Sequence, residues 1–153
     1  MSQAGIGTGA LALIWSLHHV VKVVAAYLGG ALSDRWGNRR ALLAGSWLGY
    51  AAIYAAFAAV SSPPALIADF LVYGIFIAAP EPVEKAWVTD LVPADRRGAA
   101  FGWMQAGVGF AALPASLLFG LVWWAVSPAT AFLSGAAVAI LAALLVTRVG
   151  QGS

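Results

Sequence analysis

The side chains best placed to do chemistry are Glu81, Glu84 and Lys85, which follow Pro80 and surround Pro82 at the end of a long apolar run. Residues three and four apart share one face of a helix, so two carboxylates and an amine would project together. Ionisable groups inside a membrane helix are expensive and usually face the bundle interior, where such a trio can hold a solute or pass a proton. Pro80 and Pro82 have no N–H, so the carbonyls of Phe76 and Ala78 lose their helical donors beside Glu81. The plainer alternative is an internal Glu81–Lys85 ion pair that only closes the bundle.

A second group, His18, His19 and Lys22, lies near the middle of the first apolar segment. Lys22 is within helical reach of both histidines, so the spacing allows a relay. Lys22 is expected to face a cavity, and one histidine to hydrogen-bond a neighbouring helix. No third histidine or carboxylate is near in sequence, so no metal is expected. Asp69 adds one more acid inside an apolar segment.

None of this makes an enzyme. There is no Ser/His/Asp arrangement, zinc motif or phosphate-cradling loop, and Gly102-Trp103-Met104-Gln105 follows no strand that would make it a nucleotide motif. The absence of cysteine excludes disulfides and thiolate sites. No cofactor is expected, and a net charge of +2 with arginines confined to short turns is no nucleic-acid surface.

The segments that must position these residues belong to a membrane protein. The chain is 62% hydrophobic and 9% charged over 153 residues, against about 25% charged in a typical soluble domain. An all-α bundle of five membrane-spanning helices is expected, as one transmembrane domain over 1–153, with spans near 6–32, 41–60, 65–91, 99–126 and 129–149. The first is taken as a retained span rather than a signal peptide, because no basic residue precedes it and it outruns an h-region. The third segment is apolar only from 65 to 79, about 22 Å of helix and too short to cross. It must therefore run on through Pro80 and Pro82 to about Leu91. The fourth carries Gly98, Gly102, Ala106, Gly107, Gly109, Ala111 and Ala112, a pattern that favours close helix contact, and Pro114 is expected to kink it.

Two turns hold most of the basic residues. The first is Gly30-Ala31-Leu32-Ser33-Asp34-Arg35-Trp36-Gly37-Asn38-Arg39-Arg40, and the second contains Asp90, Pro93, Arg96, Arg97 and Gly98. Six of the eight Lys and Arg residues fall in these turns or at Arg148, whereas the turns at Pro63–Pro64 and Pro128 have none. Basic residues stay on the cytoplasmic side. An outside N-terminus and a cytoplasmic C-terminus in the cell membrane satisfy every turn.

Gly30, Asp34, Arg35, Gly37, Arg39 and Arg40 form G-x-x-x-D-R-x-G-x-R-R, which resembles the signature loop of the major facilitator superfamily. Asp90-Leu91-Val92-Pro93 with Arg97, Gly98 and Gly102 is similar to that family's loop between helices ten and eleven. Asn38 departs from the pattern, where the family commonly has Arg. The resemblance implies helices eight to twelve, the C-terminal part of a twelve-helix transporter. In that scheme helix ten lines the cavity, eight and eleven flank it, and nine and twelve face lipid. Its implied function is secondary transport of a small solute by alternating access, coupled to a proton or ion gradient. The implied partners are lipid, the solute, and either a missing N-terminal half or a second copy. The alternatives are a non-transporting membrane scaffold, an inactive fragment and a small ion channel. The resemblance also implies that Asp34, lacking the opposite half, turns to the arginines of its own loops or to a second copy. Arg35 or Arg39 is expected to pair with Asp90.

Overall fold

A computed structural model describes residues 7–149, and every regular element in it is helical. The elements are α1 (Thr8–Trp36), α2 (Arg39–Ala59), α3 (Pro63–Ala78), α4 (Pro80–Leu91), α5 (Arg97–Ala125) and α6 (Pro128–Arg148), with a 3-10 turn at Ala94–Arg96 before α5. Counting α3 and α4 as one span, five helices are long and apolar enough to cross a membrane. The expected start of the first span at residue 6 lies outside the described residues.

The first basic turn is much tighter than expected. α1 does not stop near Leu32 but continues through Ser33, Asp34, Arg35 and Trp36. Gly37 then takes the left-handed conformation, φ 64°, and its N–H bonds the Ser33 carbonyl at 3.1 Å. A left-handed residue after the last turn is how many helices end, and glycine adopts it without a Cβ penalty. Asn38 caps α2 by accepting the Ala41 N–H at 3.1 Å, which gives the residue departing from the family pattern a local role. Only Gly37 and Asn38 separate the two spans.

The third span continues as expected. Ala79 alone separates α3 from α4, keeps helical angles, and donates its N–H to Ile75 at 2.9 Å. α5 passes Pro114 without a break.

Alternating direction puts the Pro63 and Pro128 turns at one end of the bundle and the basic turns at the other. α2 packs most extensively on α6, α1 lies along α3, and α2 also touches α3 and α4. The α2–α6 seam centres on Ala51 of α2 with Ala136 and Ala139 of α6, and Trp47, Tyr50 and Tyr54 pack against them; Ala131 and Ala143 are also buried on α6. Gly135 admits the Tyr54 ring, since a Cβ there would lie 2.6 Å from it. Small residues at membrane helix seams bring backbones close enough for dispersion to act. α5 differs: none of its residues is buried. Gly98, Gly102, Gly107 and Gly109 have nothing within 4 Å of a Cβ position. The close contact expected for that surface is not made within the described residues.

Candidate functional site

The α3–α4 junction is built around α1. A Cβ on Gly29 would collide with the Ala79 carbonyl, and one on Gly30 would sit 3.6 Å from Pro82. Proline at 80 and 82 deprives Phe76 and Ala78 of helical donors. Backbone freed in this way is tolerated at membrane depth only where protein or a watery cavity surrounds it. The glycines of α1 bring that cover to the junction.

Beyond it, Lys85 Nζ bonds Glu81 Oε1 at 2.7 Å within α4, with the two side chains 49% and 61% exposed. Glu84 is partly buried and makes no hydrogen bond or ion pair among the described residues. The pair therefore uses Lys85 on the more exposed acid and leaves the more buried acid without a direct partner.

The second group divides. His18 is buried and packs its ring on Phe70, with centroids 4.1 Å apart. Its Nδ1 lies 2.9 Å from the Phe70 carbonyl. A carbonyl only accepts, so Nδ1 carries the hydrogen. Gly74 makes the notch that receives the ring, because a Cβ there would come within 3.0 Å of it and 3.4 Å of Lys22 Cγ. His18 is thus the histidine expected to bond a neighbouring helix. His19 is exposed and bonds Trp15 of its own helix at 2.9 Å. No hydrogen bond joins His18, His19 and Lys22 among the described residues. Asp69 has a buried Oδ2 with no hydrogen-bond partner. Seven residues of helix, about 10 Å, separate Gly74 from Glu81. The candidates therefore form two groups rather than one. No set of three metal-ligand side chains occurs among the described residues.

At the basic end, Arg39 Nη1 reaches Asp90 Oδ2 at 2.8 Å. The same nitrogen has no hydrogen bond of acceptable geometry, so the contact is ionic but poorly aligned. It is nonetheless the expected pair, made by Arg39 rather than Arg35. Asp34 and Arg35 are exposed and have no partner among the described residues, so Asp34 does not turn to its own arginines. Arg96 comes only within 4.0 Å of Asp95.

Three features were not anticipated. Arg97 bonds the Thr89 carbonyl at 3.0 Å and that of Val92 at 3.4 Å, covering acceptors left open where α4 ends. Tyr50 of α2 donates to Tyr54 at 2.6 Å, and the ring of Tyr73 on α3 lies tilted beside both. The third is the Gly74 notch. The i,i+4 spacing of Tyr50 and Tyr54 was a usable signal, whereas nothing local marked Arg97 as a cap or Gly74 as a notch.

A family model described as Major Facilitator Superfamily matches residues 1–150. A Methanocaldococcus jannaschii protein described as an uncharacterized MFS-type transporter is 39% identical over 116 residues, covering 76% of this chain and 29% of the relative. The chain thus spans under a third of the length of that relative. No solved structure matches. With five membrane-length helices and a family match over nearly all its length, this chain is an integral membrane protein belonging to the major facilitator superfamily, a family of transporters rather than enzymes.

Proposed function

We propose that the chain is the part of a secondary active transporter equivalent to the family's helices eight to twelve, and that it moves a small solute by alternating access under a proton or ion gradient. The observation that carries this reading is α4. It starts at a proline-broken junction, lies against α1, and presents a paired Glu81–Lys85 beside a partly buried Glu84 without a direct partner. Broken helices with ionisable side chains are how many transporters bind ions and solutes within the membrane. The bare surface of α5 and the length of the relative support a partner, either the rest of a longer transporter or a second copy. The basic end faces the cytoplasm, as the charge bias requires. Cysteine at Asn38 should therefore be labelled only after permeabilisation and cysteine at Ser62 from outside; the reverse pattern would invert the orientation.

The functional test is transport by the assembled protein in liposomes under an imposed pH gradient, with pyranine inside and a panel of labelled solutes outside. Glu84→Gln should abolish coupled uptake and Glu81→Gln reduce it, both with normal insertion. Full coupled uptake by both variants would remove α4 from the path. An absence of flux with either kind of partner would favour the non-transporting scaffold.

A further inference from the structure

Where the turn between α1 and α2 meets α4, the protein forms a polar pocket of about 200 Å³, lined by Gly37, Asn38, Arg39, Arg40, Trp87 and Asp90. The charges lining it do not cancel. Asp90 is engaged by Arg39 at 2.8 Å, while Arg40 is partly buried with neither ion pair nor hydrogen bond among the described residues. Arg39 is itself incompletely used: its side chain is only 18% exposed, and its contact with Asp90 lacks hydrogen-bond alignment. A guanidinium has five N–H donors and cannot become neutral. The pocket therefore holds a surplus of fixed donors and one net positive charge.

Its position narrows the ligand. Gly37 and Asn38 are the whole connection between two spans, so the pocket lies where hydrocarbon gives way to lipid headgroups. Trp87 lines the same pocket, and indole rings prefer that boundary. The planar fork of arginine matches phosphate oxygens, and basic pockets between membrane helices are suited to lipid headgroups. We propose that this pocket binds a phosphate group, carried by a phospholipid of the leaflet at the basic end, with Arg40 and Arg39 as its donors. The bound headgroup would bridge the α1–α2 turn to α4. This assignment stands apart from the transport reading and does not need it.

The test uses the purified chain in dodecyl maltoside without phosphate buffer. It is titrated calorimetrically with dihexanoyl phosphatidylglycerol, with inorganic phosphate, and with dihexanoylglycerol, which lacks phosphate. The phospholipid should bind saturably and the phosphate-free lipid should not. Arg40→Gln should weaken binding about tenfold or more. Arg148→Gln, an equal loss of charge at the exposed end of α6, should leave it unchanged. Inorganic phosphate binding as tightly as the lipid would make free phosphate the source and keep the pocket's chemistry. Equal affinity of the Arg40 and Arg148 variants, or equal binding of the phosphate-free lipid, would overturn the assignment. Should Arg40→Gln fail to fold, Arg40→Lys decides: it keeps the charge but loses the fork, so binding should fall about threefold, and unchanged binding counts against the site.

Discussion

The two ends of this bundle are held together by different kinds of contact. Toward the proline turns, rings touch rings across every helix that traverses that half. Phe70 of α3 stacks on His18 of α1 with centroids 4.1 Å apart, Tyr73 meets Tyr50 of α2 at 5.6 Å, and Tyr54 meets Phe132 of α6 at 5.5 Å. Phe132 then meets Trp123 of α5 at 5.8 Å. Toward the basic turns the contacts are small and backbone-borne: Gly29 against the Ala79 carbonyl, Gly30 against Pro82, and ion pairs at the rim. A ring can rotate to accommodate a neighbour, but a helical carbonyl cannot. The aromatic half is therefore the more forgiving.

Adding the same methyl group to each half should show the largest effect. At Gly29 a Cβ would land on the Ala79 backbone, with the carbonyl carbon only 2.9 Å away. Either α1 must withdraw or the broken span must move. Gly29→Ala should destabilise by about 2 kcal/mol or more, even after the gain in helix propensity. At Gly135 the obstacle is the Tyr54 ring at 2.6 Å, which can turn. Gly135→Ala should cost about 1 kcal/mol or less. Denaturation in mixed micelles measures both, and equal costs would erase the distinction between the two halves.

The same contrast explains what could be read from the chain alone. Span count and the continuation past Pro80 and Pro82 follow from length, hydropathy and charge, which act locally or over whole segments, whereas the pairing of Arg35 or Arg39 with Asp90 came with the family resemblance. Small residues are different, because they permit a close approach without naming a partner. α5 was read as a contact surface for its glycines, yet none of its residues is buried. α6, a lipid-facing helix in the family scheme, nevertheless packs its Ala136 and Ala139 with Ala51 of α2. Gly74 likewise carries no local mark of the His18 ring that lies against it. The candidate residues are nameable because charge in a membrane is conspicuous, but their division into an α1–α3 group and an α4 group depends on packing. Charge and the family motif place Arg97 in a basic turn, but its role as a cap depends on the fold.

A smaller effect should come from the phenols. Tyr50 and Tyr54 share a 2.6 Å hydrogen bond within α2, with the Tyr73 ring beside them. Tyr54→Phe keeps the rings and removes one hydroxyl, so it isolates the polar part of the aromatic layer. A loss of about 1 kcal/mol is expected, the usual net contribution of one intramolecular hydrogen bond. Tyr50→Phe should cost a similar amount and the double variant little more than either, because both single changes break the same bond. Fully additive losses would mean that each hydroxyl acts through a different partner.

The smallest effect belongs to the rim of the basic half. Arg39 and Asp90 join the start of α2 to the end of α4 at 2.8 Å, but the Asp90 side chain is 55% exposed. Exposed ion pairs contribute little, because water screens the attraction and ordering two side chains costs entropy. The better-covered guanidinium pulls the other way, since removing Asp90 leaves it without its carboxylate. With one partner in water and no aligned hydrogen bond, screening should prevail. The coupling energy from Arg39→Gln, Asp90→Asn and the double variant should be no more than about 1 kcal/mol, and smaller in high salt. Asp34→Asn is the internal reference: Asp34 is exposed and has no partner among the described residues, so its stability change should be within about 0.5 kcal/mol. A coupling of several kcal/mol that persisted at 1 M salt would mean that the rim is in effect buried. The basic half would then be held as firmly by charge as the proline-turn half is by rings.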